Sequence, residues 1–236
     1  MRAGAAQNAA SAPLPIMSRL SVRSVPAVAA LGGVLALGTA LRLYDLGTEN
    51  YWLDEVIMLR AAEGSVGSIL AGTRPPVYVL LTHFWIESFG TSEASTRLLP
   101  ALFGLLSILL TYVMGREFFG KRVGLVASLL MSVSAFQIYY SQETRYYSLF
   151  TLCALLSFFL MLRALKRAKP IYFVLYALAG ILMFYTHTYA VFVIAAQNLY
   201  FVLSWKRART LLFPWVLSQA AMGLAILPAL RVPADR

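Results

Sequence analysis

Charge is scarce in this chain. Of its 236 residues 13% are charged and 60% are hydrophobic, and the mean hydropathy is +0.71. A soluble domain carries about 25% charged residues, so an ordinary water-soluble fold is excluded. The composition is that of a polytopic membrane protein whose solvent is mostly lipid. Cysteine is nearly absent. The single Cys153 lies inside an apolar run, so it forms no internal disulfide, and neither CxxC nor metal-ligand spacing occurs. There is no internal repeat, and no low-complexity segment beyond the first two dozen residues. Acids are half as common as bases, ten against twenty, for a net charge of +10. In a soluble protein that balance would suggest nucleic acid. Here the bases lie in short clusters between apolar runs, so they read as topology signals and no nucleic-acid partner is expected.

What is present is a series of apolar runs. Seven are long enough to cross a bilayer, roughly 25–44, 97–115, 122–140, 146–163, 171–186, 188–205 and 211–230. The first is longer than a signal-peptide core and reads as an uncleaved span preceded by a cytoplasmic segment, 1–24. An eighth run, 76–90, reaches only about 22 Å as a helix and carries Thr82, His83, Glu87 and Ser88. Charge decides its status. If it does not span, four inner segments hold thirteen of the twenty bases and one of the ten acids, Glu117. If it spans, Arg116, Lys121 and Arg122 move outside and the positive-inside rule breaks. The segment is therefore expected to lie on the outer surface, as is 55–71, broken by Gly64 and Gly67. The expected fold is all-α and polytopic, with about seven transmembrane helices plus two interfacial helices in a first outer loop, 45–96. The N-terminus is then cytoplasmic and the polar loops face out from the plasma (inner) membrane.

Most unusual polar groups fall on that outer face. Asp54 and Glu55 form the most acidic stretch, and holding carboxylates ionised beside an apolar phase costs free energy. A carboxylate there can accept a proton from a hydroxyl. Arg74, Arg97 and Arg145 offer permanent charges whose forks match phosphate oxygens. Glu143, Tyr146 and His187 share the same boundary. Each has a plainer role open to it. Asp54 could satisfy free N–H groups at a helix start, and Glu55 could orient Asp54 or face water. Arg74 and Arg145 could anchor to lipid head groups, and Arg97 could mark a span end. Glu143 could pair with Arg145, and His187 could be an interfacial histidine. The tyrosines and tryptophans suit an aromatic belt.

The sequence Trp52-Leu53-Asp54-Glu55 after a first span resembles the Asp-Glu motif of the GT-C glycosyltransferases. Arg74-Pro75-Pro76-Val77-Tyr78 is similar to the basic-Pro-Pro-Leu segment of protein O-mannosyltransferases and lipid A aminoarabinose transferases. Tyr140 to Leu149 and Tyr185-Thr186-His187-Thr188-Tyr189 resemble the second and third outer motifs of the bacterial branch. The resemblance covers about 40 to 205. It implies a mannosyltransferase-like enzyme of the cell envelope, with residues 25–236 as the transmembrane catalytic module. The sugar would move from a polyprenyl-phosphate donor to an acceptor glycan, lipid or protein. Asp54 and Glu55 would be catalytic, and Arg74, Arg97, Glu143, Arg145, Tyr146 and His187 would bind substrate. No cofactor is specified. A divalent metal is the one the resemblance leaves open, and Thr73 stands where the aminoarabinose enzymes carry Glu. Two other classes stay in view: a non-catalytic membrane subunit, and a transporter or flippase of lipid-linked sugars. Charges at span ends rather than mid-membrane disfavour the transporter.

Overall fold

In the computed structural model, which describes residues 25–230, every regular element is helical. The expected cytoplasmic segment 1–24 and the last outer residues lie outside the described part. Helix α1 (Val25–Leu43) leads into the 45–96 loop, which folds as α2 (Leu53–Ala62), α3 (Val66–Ala71) and α4 (Pro76–Phe89). Then come α5 (Glu93–Phe119), α6 (Lys121–Val133), α7 (Ala135–Ser141), α8 (Tyr147–Arg167), α9 (Pro170–Thr186) and α10 (Ala190–Leu203). A short α11 (Trp205–Ala208) and a 3-10 turn lead into α12 (Leu212–Leu230). Pro76 and Pro170 each start a helix, where a missing N–H costs nothing.

Three helical runs are long and apolar enough to cross a membrane alone: α5, α8 and Trp205–Pro228. The α6–α7 pair makes a fourth if a 60° bend is allowed within one span. Helices α9 and α10 are apolar but shorter, and so is the stretch Ala27–Leu43 within α1. Two expectations need correction. The 45–96 loop holds three helices rather than two: of the two expected breaks, the one at Gly64 separates α2 from α3, while Gly67 lies inside α3. The run 122–140 is not one straight helix but turns at Ser134.

That turn has a tertiary cause, since neither Pro nor Gly occurs there. Arg42, the lone charge of α1, is fully buried against the break. Its guanidinium donates to the carbonyl oxygens of Met131 (3.3 Å) and Ser132 (3.1 Å), two acceptors that a broken helix leaves without partners. It also donates to Ser141 Oγ (3.2 Å) and to Gly38 O (3.2 Å). The service is returned: Gln142 Nε2 reaches the carbonyls of Arg42 (3.3 Å) and Tyr44 (2.8 Å) at the end of α1. Gly104 makes the room, because a Cβ there would lie 2.8 Å from Arg42 Nε.

Two apolar clusters fill the bundle. The first joins the loop helices (Met58, Ala62, Ile69, Tyr78, Val79) to Leu99, Leu149, Cys153, Met183 and Phe184 of α5, α8 and α9. The second lies at the other end, around Met161, Phe173, Tyr176, Phe201, Trp215 and Met222. Through it runs a polar chain. Tyr176 Oη donates to Gln197 (3.1 Å), Gln197 to Ser157 (2.9 Å), Gln219 to Tyr176 (3.2 Å), Asn198 to Gln219 (3.0 Å) and Trp215 to Asn198 (3.1 Å). Four helices, α8, α9, α10 and α12, are thereby fixed in register. Helices α5 and α6 meet backbone to backbone, since a Cβ on Gly115 would fall 2.6 Å from Gly124 Cα.

Replacing Arg42 by Met keeps the bulk and strands these buried acceptors. Each costs about 1–3 kcal/mol when unpaired, so the variant should unfold at clearly lower temperature in detergent. An unchanged melting curve would show that Arg42 does not hold the bend.

Candidate active site

The end of the bundle that carries the 45–96 loop is organised around Glu55. Its position in the first turn of α2 lets Oε2 reach back to the Trp52 N–H at 3.4 Å. The side chain is fully buried. Arg97, one turn into α5, donates from Nε to Oε1 (3.0 Å) and from Nη2 to Oε2 (2.7 Å). The Thr144 N–H gives a further bond to Oε1 at 2.8 Å. Burial alone would push the Glu55 carboxyl up, but the Arg97 fork and the Thr144 N–H outweigh it and hold the group below the usual carboxylate range. The remaining Arg97 donors go to the carbonyls of Leu46 (3.4 Å), Glu49 (2.8 Å) and Asn50 (3.3 Å). A guanidinium has five N–H donors, and all five are engaged. Arg97 thus has no donor left for a ligand.

Asp54, next to Glu55, projects off another side of α2 and is partly exposed. Its Oδ2 lies 3.4 Å from Arg145 Nη2, while Arg145 Nη1 donates to the Asp54 carbonyl at 3.1 Å. Arg145 lies over the ring of Tyr146, 4.8 Å from its centroid, and donates to its hydroxyl at 3.2 Å. Its Nε is buried and has no partner among the described residues. The same holds for Oε2 of Glu143 and for the hydroxyl of Tyr78 on α4. Burial pushes the Glu143 carboxyl above its ordinary value, with Tyr139 opposing and the negative charge of Glu55 adding.

A cavity of about 250 Å³ opens beside this pair. Its walls are Ile57 and Met58 of α2, Arg74 and Pro75, Arg145 and Tyr146, and His187 with Thr188. Four residues expected from the sequence, Arg74, Arg145, Tyr146 and His187, are therefore neighbours, although more than a hundred positions separate the first from the last. Arg74 is exposed, with no carboxylate within 4 Å among the described residues. It also lines a second cavity of about 260 Å³ that continues past Leu70, Phe184, Tyr185 and Pro228. The His187 ring lies 4.5 Å from that of Tyr146, and its Nδ1 accepts the Tyr189 N–H at 3.0 Å. The proton of a neutral His187 then sits on Nε2. Burial first, and the Arg145 charge second, lower its pKa, which favours that neutral form.

Asp54 thus stands at the edge of the group, joined to it through Arg145. Glu55 and Arg97 lie behind as a closed pair. Glu143 is buried in the turn that carries Arg145. Sequence reasoning did not single out Thr144, whose signal is backbone only, or Ile57 and Met58, which lie one turn beyond Asp54 on α2. Among the described residues no three His, Cys, Asp or Glu side chains come together, and Thr73 supplies no carboxylate beside Arg74.

Glu55→Gln would leave the Arg97 charge buried without its counter-ion. Breaking a buried pair costs about 3–5 kcal/mol, so the variant should be much less stable than the parent at neutral pH. The sign with pH follows from the lowered carboxyl. The parent's advantage is present above the unfolded-state pKa, about 4.3, and is lost as pH falls through the lower folded-state value. Unfolding curves for both proteins from pH 7 to pH 3 should converge at the acid end, and a constant gap would contradict the pairing.

No curated protein matches this chain at a significant level. Residues 73–230, more than half of the sequence, match the dolichyl-phosphate-mannose-protein mannosyltransferase family. The matched stretch includes Arg74, Arg97, Glu143, Arg145, Tyr146 and His187 and begins after Asp54 and Glu55. With an all-helical fold, membrane-length apolar helices and these residues gathered at one end, the chain belongs to the dolichyl-phosphate-mannose-protein mannosyltransferase family, membrane glycosyltransferases of the GT-C type that use a lipid-linked sugar donor.

Proposed function

We propose that this protein moves a sugar from a polyprenyl-phosphate donor to an acceptor glycan, lipid or protein on the outer side of the plasma membrane, with inversion at the anomeric carbon. The observation that carries this reading is the pocket where Arg74, Arg145, Tyr146 and His187 meet while Asp54 lies against Arg145. In this reading seven segments span: α1, α5, the bent α6–α7 pair, α8, α9, α10 and the run ending in α12. Helices α2, α3 and α4 lie along the outer surface. The N-terminus and the basic clusters 116–122, 163–169 and 206–209 are cytoplasmic.

The acceptor hydroxyl attacks the anomeric carbon, and Asp54 takes its proton. The bond from that carbon to the phosphate oxygen breaks, and its electron pair leaves with the polyprenyl phosphate. Phosphate is a competent leaving group, so one carboxylate suffices where most glycosidases need a pair. Arg74 and Arg145 neutralise the charge that grows on the departing oxygens. The Asp54–Arg145 contact is long at 3.4 Å. A donor phosphate competing for the guanidinium would free Asp54 for the acceptor. The Nε2–H of a neutral His187 is suited to donate to a sugar or phosphate oxygen. The apolar cavity beyond Arg74 offers the polyprenyl chain a route toward lipid. Glu55 and Arg97 act as positioning residues that set the distance between α2 and the Arg145 turn.

Asp54→Asn keeps the shape and removes the base. Transfer by the purified protein should fall about 100-fold or more, with donor binding retained, and near-normal turnover would rule out this base. Arg74→Ala and Arg145→Ala should each weaken donor binding about tenfold to a hundredfold, with lysine replacements intermediate. If both alanine variants bind and turn over donor like the parent, the phosphate assignment is wrong. Orientation is checked with single cysteines at the exposed positions Thr91 and Lys121. A membrane-impermeant reagent should reach position 91 from outside and 121 only from inside, and labelling of both from one side would overturn the topology.

A further inference from the structure

At the end of the bundle opposite Asp54, the C-terminal ends of α5, α8 and α10 draw together around α11. Between them lies a cavity of about 380 Å³, larger than the one beside Asp54. Its floor is apolar, built from Phe118, Leu162, Leu165 and the ring of Tyr200, and its rim carries Lys166 and Arg207. Lys166 is held over that floor, with Nζ 5.4 Å from the centre of the Phe118 ring.

The charges at this end are not evenly matched. Glu117 is the one acid in the neighbouring basic segments. Its carboxylate is taken by Arg163, at 3.0 Å from Nε and 2.5 Å from Nη2, and Arg167 lies within 3.8 Å of it. Arg163 is further fixed over the Phe159 ring at 4.3 Å. Among the described residues no carboxylate comes within 4 Å of Lys166 or Arg207. The rim of the cavity thus presents two cations without a direct carboxylate partner above apolar side chains, where α5, α8 and α10 end.

We propose that this cavity binds the head group of an anionic membrane lipid. The phosphodiester lies between Lys166 and Arg207, and the glycerol and first acyl carbons rest on the floor. Both halves of the cavity argue for that ligand. A soluble phosphate would use the cations and gain nothing from Phe118, Leu162 and Leu165. A zwitterionic lipid would use the floor but bring its own cation to a rim that already holds two. Basic pockets between helices at a membrane face are suited to such head groups. Lipid binding here needs only a membrane protein with this helix packing, and stands apart from the chemistry assigned to Asp54.

The full chain, purified and placed in phosphatidylcholine nanodiscs, is titrated with phosphatidylglycerol, and retained lipid is read by native mass spectrometry. The parent should hold phosphatidylglycerol in preference to phosphatidylcholine. Lys166→Ala/Arg207→Ala should weaken that binding about tenfold or more, since each cation near a charged lipid surface contributes to affinity. Lys206→Ala/Arg209→Ala removes the same charge from residues that do not line the cavity, and should change binding less than threefold. Equal losses in the two double variants would mean that the end of the bundle attracts anionic lipid only through its general positive potential, and would overturn the site. So would displacement of the lipid by millimolar inorganic phosphate, which would make it a soluble-anion site. Equal retention of both lipids by the parent would also overturn it.

Discussion

The end of the bundle that carries Asp54 depends on one buried ion pair. Taking Glu55 and Arg97 out of water costs several kcal/mol for each ion, and their attraction offsets this only if the remaining lone pairs and protons are satisfied. Here they are. The carboxylate accepts from Arg97, Thr144 and Trp52, and the guanidinium gives its last donors to three carbonyls of the 46–50 loop. The pair therefore ties together three stretches far apart in sequence: the start of α2, the start of α5 and the turn before α8. Asp54 and Arg145 are adjacent to two of those anchor points, at Glu55 and Thr144. Their contact is a consequence of the pair behind them. The pair is saturated and buried, while its neighbour Asp54 stays partly exposed.

The same logic runs through the apolar part of the bundle. Without water, every backbone group needs a partner inside the protein. The bend at Ser134 frees carbonyls that Arg42 takes, and the end of α1 frees others that Gln142 takes. The side-chain chain from Ser157 to Trp215 is closed in the same way. These polar residues stand in apolar helices because their partners are supplied from other helices. Their bonds fix relative position, which apolar side chains facing lipid do weakly.

The two ends of the bundle are chemically unlike. One gathers acids, histidine, tyrosines and arginines round pockets that include the 250 Å³ cavity. The other gathers lysines and arginines with a single acid, already paired. Helix direction adds to the contrast, since basic residues near the ends of α5 and α8 meet the negative end of each helix dipole.

The sequence by itself determined the class of protein, the helices to within a few residues and the set of polar residues worth watching. Those follow from apolar run length, proline at helix starts and charge clustering, all of which are local. Local signals also picked out Arg74, Arg145, Tyr146 and His187, which one cavity brings together. They could not show which of Glu55, Arg97 and Asp54 keeps open bonds, because a carboxylate or guanidinium reads the same whether its bonds are used up or open. Only the tertiary structure decided that Glu55 and Arg97 satisfy each other, that Asp54 remains partly exposed, and that the run 122–140 bends where Arg42 receives it. The physical reason is that hydrogen-bond saturation depends on which helices meet, and partners 42, 89 and 99 residues apart leave no trace in either segment alone.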